Sequence, residues 1–225
     1  MRLVLIGGGY AREDDQFPIN QRLAELTGKE NPEVLFIPTA AADDEDYINE
    51  FRGVFENRPR CKVSVLRTGS RSPSDSEVKK AIHAADLIYL GGGNYLNMME
   101  RWKKWKIDYH LIQALQTNTL IAGISAGAIC WFNSGLRSDY EGDGYMESEG
   151  WHIIDAVFCP HYNQPERADA FYSLMEQSDR KGIAIEDDCA LYLNGDSYEI
   201  IGSPSKIHTF GELAFNQHAR ITHPT

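Results

Sequence analysis

The chain has 225 residues, 42% hydrophobic and 24% charged, which is the balance of an ordinary soluble globular protein with one sizeable core. Its net charge of −11 argues against a nucleic-acid partner, which would call for a basic face. The opening apolar run is shorter than the ~7–15 residues of a signal-peptide core, and the longest nearly uncharged run, 120–132, falls short of the ~18 of a membrane span.

A cytoplasmic protein without a membrane partner is therefore expected. Cys61, Cys130, Cys159 and Cys189 show no C-x-x-C spacing and read as reduced thiols rather than a disulfide framework.

In chain order, residues 2–6 read as a buried strand ending in Gly7-Gly8-Gly9. A helix at 20–27, a strand at 33–38, a helix at 46–55 and a strand at 61–66 follow. Residues 74–84 are helical with Ser74 or Ser76 as cap, and a fourth strand at 86–90 runs into Gly91-Gly92-Gly93-Asn94. A long amphipathic stretch, 95–116, precedes a fifth strand at 120–124. The acidic segment 139–150 reads as a loop, 153–158 as a strand and 165–177 as a helix. Short strands at 182–185, 190–193 and 198–201 close the pattern, with a turn at Asn194-Gly195-Asp196. This alternation predicts a single α/β domain over residues 1–225, a mainly parallel sheet with helices on both faces and ligands at the carboxyl ends of its strands.

At one such end stands Gly123-Ile124-Ser125-Ala126-Gly127, a G-x-S-x-G sequence between a buried strand and the helix-compatible run 126–132. At that turn a strained backbone pushes the serine hydroxyl out of the sheet edge, small neighbours relieve the clash, and the Ala126 N–H can face an oxyanion. The plainer alternative is a serine that only caps the next helix.

A serine nucleophile needs a base. Of the seven histidines, His161 follows a strand and a restricting proline, whereas His83 and His110 lie in helical stretches and His208, His218 and His223 near the C-terminus. His152 opens the strand that His161 closes. The plainer reading of His161 is a hydrogen-bonded turn histidine. His152, Asp155, Cys159 and His161 would be spread over ~30 Å by an extended strand, so no metal or cofactor is expected. For the carboxylate behind the base, Asp139 and Glu141 in the acidic loop and Glu186 after a later strand stay open.

The spacing of Ser125 and His161, 36 positions, is too compact for an α/β-hydrolase. Taken in order, Gly91-Gly92-Gly93-Asn94, Gly123-Ile124-Ser125-Ala126-Gly127-Ala128 and Cys159-Pro160-His161-Tyr162 resemble the peptidase E family of serine peptidases. That broader group includes the cyanophycinases, and its fold is similar to class I glutamine amidotransferases. The resemblance implies Ser125 as nucleophile, His161 as base, Asp139 as acid with Glu141 in reserve, and an oxyanion hole of Gly92 and Ala126. It also implies Asn94 and Arg167 at the substrate and a short peptide as that substrate. An N-terminal aspartate requirement and a homodimer are left open. The rivals are a cyanophycinase-like or other amide hydrolase, and a binding protein that kept the elbow without turnover.

Overall fold

The structure is a computed structural model that describes residues 1–9, 17–57, 59–68, 72–117, 119–211 and 220–222. In chain order the elements are β1 (Arg2–Ile6), α1 (Phe17–Leu26), β2 (Glu33–Ile37), α2 (Glu45–Asn57), β3 (Lys62–Val65), α3 (Asp75–Ala84) and β4 (Leu87–Leu90). Then come α4 (Tyr95–Lys104), α5 (Ile107–Gln116), β5 (Leu120–Ile124), α6 (Ala126–Ile129), β6 (Phe132–Ser138), β7 (Tyr145–Glu149) and β8 (Ile154–Cys159). The last are α7 (Pro165–Glu176), β9 (Gly182–Ile185), β10 (Ala190–Asn194), β11 (Ser197–Ile201), β12 (Ile207–Phe210) and β13 (Arg220–Thr222).

The larger sheet runs β13-β11-β10-β1-β5-β4-β2-β3 and is parallel except where β10 pairs with β1 and β11. Its central strands are apolar on both sides because helices cover both faces. Leu3, Leu5, Ile88 and Ile121 pack with α3, α4 and α5, while the alternate residues Val4, Ile6, Tyr89 and Ala122 pack with α1 and α2. This is the expected α/β architecture. A second sheet, β12-β9-β8-β6-β7, carries α7 through Phe171 and Met175.

Three local expectations change. The stretch 95–116 is two helices, because Lys106 adopts φ 55° between α4 and α5. The helix after Ser125 lasts one turn, since Phe132 already enters β6 beside β8. The acidic segment is no loop throughout: Tyr145–Glu149 forms β7, antiparallel to β6, and the acidic residues cap this hairpin. The Ser74 cap is present as a full capping box with Glu77.

Candidate active site

The carboxyl end of β1 organises the site with backbone alone. Three successive carbonyls there accept one amide each: Ile6 from Ser125 at 3.1 Å, Gly7 from His161 at 3.2 Å and Gly8 from Asp188 at 3.2 Å. The three donors sit on loops after β5, after β8 and after β9. Gly8 also bridges Asp187, stitching the two sheets together where these loops meet.

Ser125 occupies the turn between β5 and α6 at φ 51°, ψ −112°, a conformation that costs a non-glycine residue energy. The flanking glycines make the turn feasible: a Cβ on Gly123 would lie 2.1 Å from the Gly127 carbonyl oxygen. The Ser125 side chain makes no helix-capping bond. Its Oγ instead lies 2.9 Å from Nε2 of His161, so the capping alternative fails.

His161, also at positive φ (52°), turns Nδ1 to Oδ1 of Asp187 at 2.6 Å. With that carboxylate ionised, Nδ1 carries the proton and Nε2 is left to accept from the Ser125 hydroxyl. Asp187 is itself held three ways. Asn163 Nδ2 donates to its Oδ2 at 3.1 Å, its own N–H donates to Asn163 Oδ1 at 3.0 Å, and Lys206 Nζ donates to its carbonyl at 2.9 Å. Burial opposes charge on this carboxylate, but the His161 hydrogen bond and charge, helped by Asn163 and Lys206, outweigh it and keep its pKa below the usual value.

The carboxylate on His161 is therefore none of those expected. Asp139 Oδ1 accepts the Glu141 N–H at 3.2 Å and the Asp139 N–H bonds the Gly144 carbonyl, so both residues serve the tip of the β6–β7 hairpin. Glu186, one position from the observed acid, pairs with His208 at 2.9 Å. What the hairpin brings to the site is Tyr140: its hydroxyl accepts the Tyr95 N–H at 2.8 Å and donates to the Gly93 carbonyl at 3.2 Å.

That contact steadies the glycine loop after β4, where Gly92 faces Ser125; a Cβ on Gly92 would stand 3.4 Å from that of the serine. The Gly92 N–H meets the Tyr47 hydroxyl at a long 3.4 Å. Ala126 begins α6, so its N–H has no intrahelical acceptor. Asn94, expected at the substrate, caps α4, its side chain accepting the Asn97 N–H at 3.0 Å. Arg167, expected at the substrate, is engaged with the β6–β7 hairpin. It is buried, with NH1 on the Leu136 carbonyl at 3.1 Å, NH2 on Ser138 Oγ at 3.0 Å and its guanidinium 4.4 Å from the Tyr145 ring.

A cavity of about 670 Å³ opens over Ser125, lined by Tyr47, Gly92, His161, Gln164 and Asp188 among others. Among the described residues no group of three His, Cys, Asp or Glu side chains could hold a metal ion, and no helix is long and apolar enough to cross a membrane. His152 bonds Asn133 and Glu149 instead, and His218 and His223 lie outside the described residues.

The model of peptidase family S51 matches residues 3–201. The chain belongs to this family. It is a hydrolase of the serine-peptidase type. The uncharacterized peptidase YgaJ of Bacillus subtilis (strain 168) is 33% identical over 202 residues, 88% of this chain and 86% of that one. The uncharacterized peptidase Lin0382 of Listeria innocua serovar 6a is 23% identical over 137 residues, 58% and 64% of the two chains. Among solved structures, a peptidase from an acI-B1 actinobacterium superposes with a TM-score of 0.72 at 23% identity, covering 95% of this chain and 91% of the other. A protein described as peptidase E from Listeria monocytogenes EGD-e gives 0.68 at 18% identity, covering 88% and 96%. At such identities these two establish that the S51 chain shares their fold.

Proposed function

We propose that this S51 chain hydrolyses short peptides, in the manner of a dipeptidase, through Ser125, His161 and Asp187. The observation that carries the reading is the unbroken relay of Oγ to Nε2 at 2.9 Å and Nδ1 to Oδ1 at 2.6 Å. His161 takes the Ser125 proton as Oγ bonds the peptide carbonyl carbon, and the carbonyl oxygen, now negative, accepts from the Gly92 and Ala126 amides. The imidazolium passes its proton to the departing amine as the C–N bond breaks. Water, deprotonated by His161, then cleaves the acyl ester, releasing the acid and restoring Ser125. Asp187 stays ionised and holds the ring in the required tautomer.

The cavity suits a small ligand, since pockets of ~300–1,000 Å³ enclose molecules of that size. Four free, buried thiols suit a reducing compartment, and we assign the activity to the cytoplasm on that ground.

The test is a panel of dipeptides, longer peptides and an unfolded protein, incubated with wild type and Ser125→Ala in parallel. We expect dipeptides to be cleaved fastest and kcat to fall roughly 10⁴-fold or more in the variant. A variant that keeps most of the activity removes Ser125 as nucleophile. A wild type that cuts only long chains removes the short-peptide assignment.

A further inference from the structure

Given the acyl-transfer reading above, we infer that the Tyr47 hydroxyl is a third donor to the oxyanion, completing a hole that the backbone only partly builds. Tyr47 lies in the first turn of α2 and is fixed from several sides. Its N–H donates to Asp44 Oδ1 at 2.8 Å, which anchors the turn. Its ring stands edge-on against Phe36, with centroids 5.1 Å apart at 88°, and Phe36 is stacked on Phe51 at 4.0 Å. On the glycine loop, a Cβ at Gly91 would come within 3.2 Å of the Tyr47 ring, so the loop runs flush against the phenol.

This packing delivers the hydroxyl to the cavity over Ser125, beside the Gly92 amide. A phenol oxygen offers two lone pairs and one proton. Gly92 engages a lone pair through a bond long enough, at 3.4 Å, to be surrendered easily. Among the described residues no acceptor takes the proton. Burial pushes the Tyr47 pKa up to about 12, and the Glu50 carboxylate acts in the same direction, so the group remains a donor throughout the neutral range.

When a substrate carbonyl oxygen settles between the Gly92 and Ala126 amides, the Gly92 N–H turns from the phenol to that oxygen. The phenol proton then has an acceptor that becomes negative only as the tetrahedral intermediate forms. An interaction gained at that stage lowers the barrier without tightening substrate binding.

The test uses a fluorophosphonate, because it needs no knowledge of the natural substrate. Ser125 Oγ bonds phosphorus, fluoride leaves, the serine proton passes to His161, and the phosphoryl oxygen occupies the oxyanion position. Second-order labelling rates are read by intact-mass spectrometry for wild type, Ser125→Ala and Tyr47→Phe, with thermal melting of each. Tyr47→Phe keeps the ring against Phe36 and should melt with wild type.

We expect it to label about tenfold or more slowly. The deficit should be the same factor from roughly pH 6 to pH 9, since a neutral donor is lost and the base is untouched. Equal rates overturn the inference, and so does a deficit that changes with pH, the mark of a displaced His161. A wild type left unmodified at Ser125 would remove the acyl-transfer reading and the inference with it, whereas equal rates remove only the inference.

Discussion

Asp187 meets His161 from 26 positions further along the chain, Oδ1 to Nδ1 at 2.6 Å, while Asp139 remains folded on its own hairpin. Replacing the two acids should separate their roles. Asp187→Asn keeps the shape but reverses the hydrogen-bond demand on Nδ1, and kcat should fall about 10⁴-fold. Asp139→Asn should leave kcat near wild type. Steady-state kinetics on one cleaved dipeptide decides between them, and an equal loss in both would return the role to the hairpin.

The same carboxylate predicts a pH dependence of stability. The native pKa of Asp187 is lowered, so at intermediate pH the folded chain binds fewer protons there than the unfolded chain, whose value is about 3.9. The stabilisation is full above that unfolded value and is lost as pH falls through the native one. Urea unfolding of wild type and Asp187→Asn should therefore show a gap that is widest near neutrality and closes in acid. A gap independent of pH would contradict this.

Gly8 has no room for a side chain. A Cβ there would lie 1.9 Å from Asp187 Oδ1 and 2.2 Å from His161 Nδ1. Gly8→Ala should cost about 10²-fold or more in kcat by displacing the pair. Gly53→Ala is the control: it lies within α2 with nothing within 4 Å of the new Cβ, and should stabilise the helix by about 0.5–1 kcal/mol at unchanged kcat. Wild-type activity in Gly8→Ala would show that the acid and base can shift without penalty.

Arg167 supports the hairpin strand from beneath. Arg167→Met strands the buried Leu136 carbonyl, a loss of about 1–3 kcal/mol that should appear as a lower melting temperature. The ratio of kcat/KM between aspartyl and alanyl dipeptides should not change. A selective loss on aspartyl substrates would place Arg167 at the substrate after all.

The pairing of Ser125 with His161 was legible because local chemistry marks both positions. Gly123 and Gly127 signal a turn too tight for side chains, and His161 follows a strand and a proline. The carboxylate that meets His161 was not legible, for Glu186, Asp187 and Asp188 stand in a row and only the tertiary register divides them. Glu186 goes to His208, Asp187 to His161, and the Asp188 amide to Gly8. Asn163, Lys206 and Tyr140 were missed for a related reason, since each acts through a backbone group or a partner far away in sequence. The parallel sheet declared itself through its apolar strands. The hairpin β6–β7 did not, because acidic and glycine residues at its tip mask the strand at Tyr145–Glu149.

The carbonyls of Ile6, Gly7 and Gly8 are consecutive, yet the amides they bind belong to Ser125, His161 and Asp188. Three loops distant in sequence thus share one anchor, and the spacing of Ser125, His161 and Asp187 depends on this short strand end staying in register with both sheets.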